Sequence, residues 1–226
     1  MFQKAEKAGI QRGVFVTSYY QVVDPGLIVD HPYVRSRAES EEAALHACSG
    51  KLTLSMIQPS WAIGLGFAGH LSLPGTYVKW VRSPAPLFAP PGGTNFVAAS
   101  SLGHAIATAL EKGKHGDRYL IGDENITWAE LLERFARAAG RQTKVHTIPK
   151  GLVHASGTSI AWCLRLLGYE SGLEPHKWSR SCVEKLYFDP SPTQQILQYP
   201  RGNINQVIAN IVNSESTIPA LSSSVV

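Results

Sequence analysis

The sequence predicts an α/β protein built on a parallel, doubly wound sheet, and three observations carry that prediction. Short apolar runs rich in β-branched residues, Val14-Phe15-Val16-Thr17-Ser18 and Leu52 to Ile57, alternate with longer helical patterns. Gly or Pro bounds each run, Gly13 before the first and Gly50 and Pro59 around the second. The chain has 226 residues, of which 44% are hydrophobic, enough to bury a core without staples.

Each element has its own local signal. Gln3 to Ala8 reads as the end of a helix stopped at Gly9. After a loop with Pro25 and Gly26, His31-Pro32 leads into a helix that carries Tyr33, Glu39, Glu41, Glu42 and Leu45 and ends near Cys48-Ser49-Gly50. From Trp61 to Gly93 the order loosens, and six Pro and Gly residues from Pro84 to Gly93 mark a loop region of the kind that carries binding surfaces. Thr94 to Val97 and Arg118 to Ile121 read as strands, with a helix from Leu102 to Leu110 between them. Thr127 and Glu130 form a capping box for a helix running to Gly140, with Ile126 stapled onto Leu131. Lys144 to Ile148 reads as a strand, and Gly151 to Leu167 and Asn203 to Ile211 as helices. The serine-rich tail from Asn213 is expected to fray, which gives one domain over 1–213 and a flexible tail over 214–226.

Composition narrows the function classes. Charged residues are 17% of the chain, below the usual figure of about 25%. The net charge is +4, and no Asp or Glu occurs from Ala43 to Leu110, a stretch that holds Lys51, Lys79 and Arg82. Such a stretch hosts an anion or lies in the core. Basic residues are scattered without aromatic interleaving, which argues against nucleic acid. Cys48, Cys163 and Cys182 are widely spaced and odd in number, so reduced thiols in a cytoplasmic setting are expected. The eight histidines show no metal-binding spacing. Ser55 to Gly75, the most apolar stretch, is broken by Pro59 and Pro74 and does not read as a membrane span.

Two stretches invite chemistry. Gly64 to Gly69 spells GxGxxG, yet a dinucleotide turn needs a helix directly behind it and an acidic residue about 20 positions on. Pro74 would interrupt that helix, and the next carboxylate is Glu111, so the stretch is expected to be a loop on the substrate side. Tyr33 and Arg37 stand four apart and share a helix face. A fixed cation beside a phenol favours the phenolate, as a tyrosine general acid/base requires. The pair also fits an ordinary exposed helix face, but it follows a strand ending in Thr17-Ser18, and ligands bind at strand ends in open α/β sheets.

From AEKAGIQRGVFVTS through HPYVRSRAESEEAAL, LTLSMIQPSWAIGLG and GGTNFVAASSLGHAIATALEKGKHGDRYLIGDENITWAELLERFARAAGR to FDPSPTQQILQY, the chain resembles the second half of an extended short-chain dehydrogenase/reductase. The resemblance is to the NAD(P)-dependent epimerase/dehydratase group, with dihydroflavonol-reductase-like and hopanoid-associated sugar-epimerase-like flavour, and spans about Ala5 to Ile211. It implies a truncated Rossmann-like sheet with a small C-terminal substrate lobe. By that resemblance Tyr33 matches the catalytic tyrosine of YxxxK and Arg37 falls on its lysine. Tyr19 falls near the usual serine, leaving Ser18 as the nearest hydroxyl, and Pro59 and Ser60 match the segment lying against the nicotinamide. Ala98, Ser100 and Ser101 replace a histidine and two aspartates of the family pattern.

The implied function is NAD- or NADP-dependent oxidation–reduction or epimerisation of a hydroxyl-bearing small molecule. Tyr33, Arg37 and Ser18 would be catalytic, and Tyr33, Arg37, Pro59 and Ser60 would hold the cofactor. The family's strand–GxxGxxG–helix unit does not occur ahead of this stretch in the 226 residues. The alternative is therefore a fragment or catalytically silent remnant that binds no cofactor and acts through protein contacts, including self-association through an exposed sheet edge.

Overall fold

The computed structural model describes residues 1–65, 73–166 and 175–217. Helix α1 (Phe2–Lys7) precedes β1 (Arg12–Val16), α2 (Tyr20–Val23), α3 (Gly26–Asp30) and the long α4 (Pro32–His46). Next come β2 (Thr53–Pro59), β3 (Trp61–Ile63), α5 (Leu73–Arg82), β4 (Leu87–Ala89), β5 (Gly93–Ala98) and α6 (Ala99–Lys112). β6 (Arg118–Ile121), β7 (Glu124–Thr127), α7 (Trp128–Ala138), β8 (Val145–Thr147) and α8 (Lys150–Leu166) follow. The last elements are α9 (Pro175–Val183), β9 (Lys185–Leu186), α10 (Ser191–Leu197) and α11 (Ile204–Thr217).

β1, β2 and β6 form a parallel sheet in that order, with Val16 opposite Ile57 and Met56 opposite Arg118. Alternation along β2 sends side chains to opposite faces. Leu54 and Met56 are fully buried on the side of α1 and α4, with Ala44, Phe2 and Phe15. Ile57 packs on the other side with Val14, Ala105 and Ala109 of α6, and Leu197 of α10. Helices therefore cover both faces, the doubly wound arrangement the alternating pattern predicts. Burying each such side chain contributes about 1.5–3 kcal/mol. Among the described residues β1 pairs only with β2, so the backbone groups on its other edge have no strand partner.

The second part is built on β5. It carries β3 and β9 in parallel and β7 antiparallel, while β4 and β8 pair separately. Its core joins Phe96, Ile126, Leu131 and Phe135 to Val78, Val81, Ile204 and Ile208.

Several elements differ from the sequence expectation. The loosened stretch contains a ten-residue helix, α5, with Pro74 as its second residue. Proline is tolerated in a first turn, where its missing N–H has no helical acceptor, and Pro74 stands second in α5 as described. α11 runs to Thr217, past the expected fraying point at Asn213, because Ile211 and Val212 are buried against the second core. The capping box is half formed. Thr127 Oγ1 accepts the N–H of Glu130 at 3.1 Å, but the Glu130 carboxylate turns to Arg134 at 2.6 Å, a charged partner one turn on. Of the GxGxxG stretch, Gly66 to Gly69 lie outside the described residues. A Cβ on Gly64 would meet Ala99 Cβ at 2.6 Å, so close packing against α6 accounts for that glycine.

Candidate active site at the strand ends

The C-terminal ends of β1 and β2 lie side by side, and the chain leaves both through buried hydroxyl residues. Thr17 N–H continues the ladder to Ile57 O at 2.8 Å, which places Ser18, 4% exposed, just beyond the end of β1. Pro59 is the last residue of β2. Ser60 follows it, its N–H bonded to Ile121 O at 2.9 Å and its hydroxyl donating to Asn95 Oδ1 at 3.0 Å. Asn95 is fully buried and also accepts Asp123 N–H at 3.1 Å while donating to Asn125 Oδ1 at 2.9 Å. Ser60 is thus held by an amide that is engaged through both its oxygen and its nitrogen.

After Ser18 the chain turns inward. The ring centroids of Tyr19 and Tyr20 lie 4.3 Å apart with the planes tilted by 39°, Tyr19 hydroxyl bonds to Thr94 Oγ1, and Tyr20 hydroxyl accepts the Trp61 Nε1–H at 2.6 Å. Burial pushes the Tyr19 phenol up to about 12 and the Tyr20 phenol well above its ordinary value. Both stay protonated at neutral pH.

Tyr33, the second residue of α4, is half-buried and packs against this Tyr19–Tyr20 cluster. Arg37 lies one turn on, its guanidinium carbon 5.0 Å from the Tyr33 ring centroid. The shared face expected from the spacing is present. Arg37 Nε is buried and has no hydrogen-bond partner among the described residues. No hydrogen bond among the described residues joins Tyr33 to Ser18 or Pro59, so the structure brings these residues to one end of the sheet without linking them.

Sequence reasoning missed the group that fixes α4. Glu41, 2% exposed, stands on the same stripe as Tyr33 and Arg37, at i+8. Its carboxylate accepts the Thr17 hydroxyl, Gln58 Nε2 at 3.0 and 3.1 Å, and Arg118 Nε at 3.2 Å. One side chain thereby ties the helix to the β1 exit, to β2 and to β6. The i, i+4, i+8 spacing was the available signal.

No helix among the described residues is long and apolar enough to cross a membrane. Cys48 and Cys182 are free thiols. No family model matches the chain. A curated relative, "Putative dihydroflavonol 4-reductase" of Synechocystis sp., is 25% identical over 230 residues, which covers 92% of this chain and 65% of that protein. Among solved structures, gox2253 superposes with a TM-score of 0.74 at 18% identity, covering 96% of this chain and 69% of that one. RMD from Pseudomonas aeruginosa, complexed with NADPH, gives 0.65 at 14% identity, with 96% and 70% covered. DesIV, a dTDP-glucose 4,6-dehydratase from Streptomyces venezuelae with NAD and TYD bound, gives 0.65 at 17% identity, with 96% and 63% covered. The chain thus spans 65% of the length of its curated relative, and that relative's activity does not pass to it by similarity alone. With β1, β2 and β6 parallel, helices on both faces and a second sheet built on β5, the chain has the Rossmann-like α/β fold of the extended short-chain dehydrogenase/reductases of the epimerase/dehydratase group.

Proposed function

We propose that this chain supplies the nicotinamide- and substrate-facing part of an NAD(P)-dependent oxidoreductase or epimerase that acts on a hydroxyl-bearing small molecule. The observation carrying this reading is the Tyr33–Arg37 pair at the C-terminal end of a parallel sheet, where open α/β folds bind ligands. The Arg37 guanidinium beside Tyr33 offers N–H donors to a hydroxyl acceptor such as a ribose oxygen. When bound, the nicotinamide supplies or accepts the hydride. Tyr33 hydroxyl gives its proton to the substrate oxygen in the reductive direction and takes it back in the oxidative one. Arg37 stabilises the phenolate left on Tyr33, Ser18 hydroxyl polarises the substrate oxygen, and Pro59 with Ser60 forms the wall for the nicotinamide face. Arginine keeps the charge of the family's lysine but brings a wider planar fork.

Turnover of hydroxyl and carbonyl compounds with either cofactor at high concentration should fall about 10²–10⁴-fold in Tyr33→Phe. Equal rates in the two proteins would remove Tyr33 from the chemistry. A calorimetric comparison of NAD, NADP and nicotinamide mononucleotide addresses the other half of the cofactor. The described residues show no glycine turn and helix that would cradle a pyrophosphate, so all three ligands should bind comparably and weakly. Tight, saturable binding of a dinucleotide alone would point to a phosphate site within this chain, with the Gly64–Gly69 stretch first to be tested.

A second reading, action through protein contacts, draws on the unpaired edge of β1. Sedimentation velocity should show self-association rising with concentration, and a monomer at every concentration would dismiss it. The cytoplasmic setting belongs to the same proposal, and the free thiols of Cys48 and Cys182 support it.

A further inference from the structure

We propose that Arg118, the first residue of β6, is a positioning residue: its cation occupies the Glu41 carboxylate and so leaves Arg37 free to lie over Tyr33. Arg118 thereby serves the reaction proposed above for Tyr33 and Arg37, and the inference rests on that reading.

The competition is built into α4. Arg37 and Glu41 stand four residues apart on one helix face, a spacing at which an arginine and a glutamate ordinarily pair. Among the described residues Arg37 makes no ion pair, and its guanidinium carbon lies 5.0 Å from the Tyr33 ring centroid instead. Glu41 is engaged from the other side. Its side chain is 3% exposed, and its oxygens accept the Thr17 hydroxyl, Gln58 Nε2 at 3.0 and 3.1 Å, and Arg118 Nε at 3.2 Å. Of these partners only Arg118 carries a charge. The far end of its guanidinium donates to Glu42 at 2.6 Å, which fixes it between two consecutive carboxylates.

Removing that charge changes which cation the carboxylate holds. A buried carboxylate left without its cation is costly, and Arg37 is one helical turn away. A guanidinium over an aromatic ring is held more weakly than one against a carboxylate. Without the Arg118 charge, Arg37 would therefore leave Tyr33 for Glu41. Thr17 and Gln58 would still bond to Glu41, so α4 would keep its place and only the charge beside Tyr33 would move. Tyr33 would lose the cation that stabilises its phenolate although neither member of the pair had been altered.

Fluorine NMR of protein carrying 3-fluorotyrosine, with Tyr33→Phe identifying the Tyr33 resonance, reads the guanidinium over that ring without any need for turnover. Arg37→Met marks where the resonance falls once the guanidinium is gone. Arg118→Gln removes the charge and keeps a donor for Glu41. Its Tyr33 resonance should move to the Arg37→Met position, and its turnover should fall about 10–100-fold. The double variant Glu41→Gln/Arg118→Gln has no buried carboxylate to draw Arg37 away. It should return the resonance to the parent position and recover most of the turnover. Two substitutions would then do less harm than one, which a loss of structural support cannot produce. Arg118→Met carries the same expectations if Arg118→Gln does not fold. A resonance in Arg118→Gln that stays at the parent position, a double variant no better than the single, or coincident resonances in the parent and Arg37→Met would each overturn the proposal. Equal turnover in the parent and Tyr33→Phe would instead defeat the catalytic reading, and the resonances would still decide whether Arg118 keeps Arg37 in place.

Discussion

Glu41→Ala should lower the free energy of unfolding by about 2–4 kcal/mol, read by urea denaturation. The loss comes from the donors left behind. Gln58 is 2% exposed and Thr17 8%, so neither the amide nor the hydroxyl can turn to water once the carboxylate is gone. Arg118 behaves differently. Its side chain is 41% exposed and keeps an ion pair with Glu42 at 2.6 Å. Arg118→Ala should therefore cost less than Glu41→Ala, about 1–3 kcal/mol, because the buried carboxylate loses its cation but keeps the Thr17 and Gln58 hydrogen bonds. Glu41→Gln, which keeps the shape and one acceptor oxygen, should fall between the two. A Glu41→Ala protein as stable as its parent would show that the carboxylate does not hold the helix.

Gly122→Ala should destabilise by about 3 kcal/mol or more, through overpacking and broken hydrogen bonds. For a chain of this length that lowers Tm by about 6–12 °C. A Cβ at residue 122 would lie 2.1 Å from Asn95 Oδ1 and 2.7 Å from Phe188 Cζ. Asn95 cannot yield cheaply, because its carboxamide is engaged at both ends with Ser60, Asp123 and Asn125. The same displacement would free Ser60 at the candidate site. Gly103→Ala is the matched control. It sits exposed within α6, where a Cβ would meet nothing within 4 Å, and should stabilise by about 1 kcal/mol. Thermal melts in which the two variants move together would refute the steric account.

What could be read from sequence was what is encoded locally. Pro32 at a helix start, the Tyr33–Arg37 spacing and the β-branched run ahead of Ser18 each depend on neighbours a few residues away, and each appears in the structure. β7 was missed because Glu124-Asn125-Ile126-Thr127 is polar, and only antiparallel pairing with β5 makes it a strand. α10 was missed because Ser191-Pro192 reads as a turn until Leu197 is seen buried against Tyr199 and Ile121. At the candidate site the hydroxyl residues were legible, but what holds them was not. Glu41 meets Thr17, Gln58 and Arg118 from three separate strand regions, and Asn95 reaches Ser60 across 35 residues. No local rule links such residues, because the sheet order decides who meets whom.

The Glu41 cluster also sets a clock on biosynthesis. Its last member, Arg118, is encoded 77 residues after the carboxylate it binds. At ribosomal speeds of about 5–20 residues per second, about 4–15 s separate the two. During that interval α4 and β1 are already made, but β6, which completes the three-stranded sheet, does not yet exist. The nascent chain therefore waits with its carboxylate lacking the Arg118 cation and its central strand unpaired on one side.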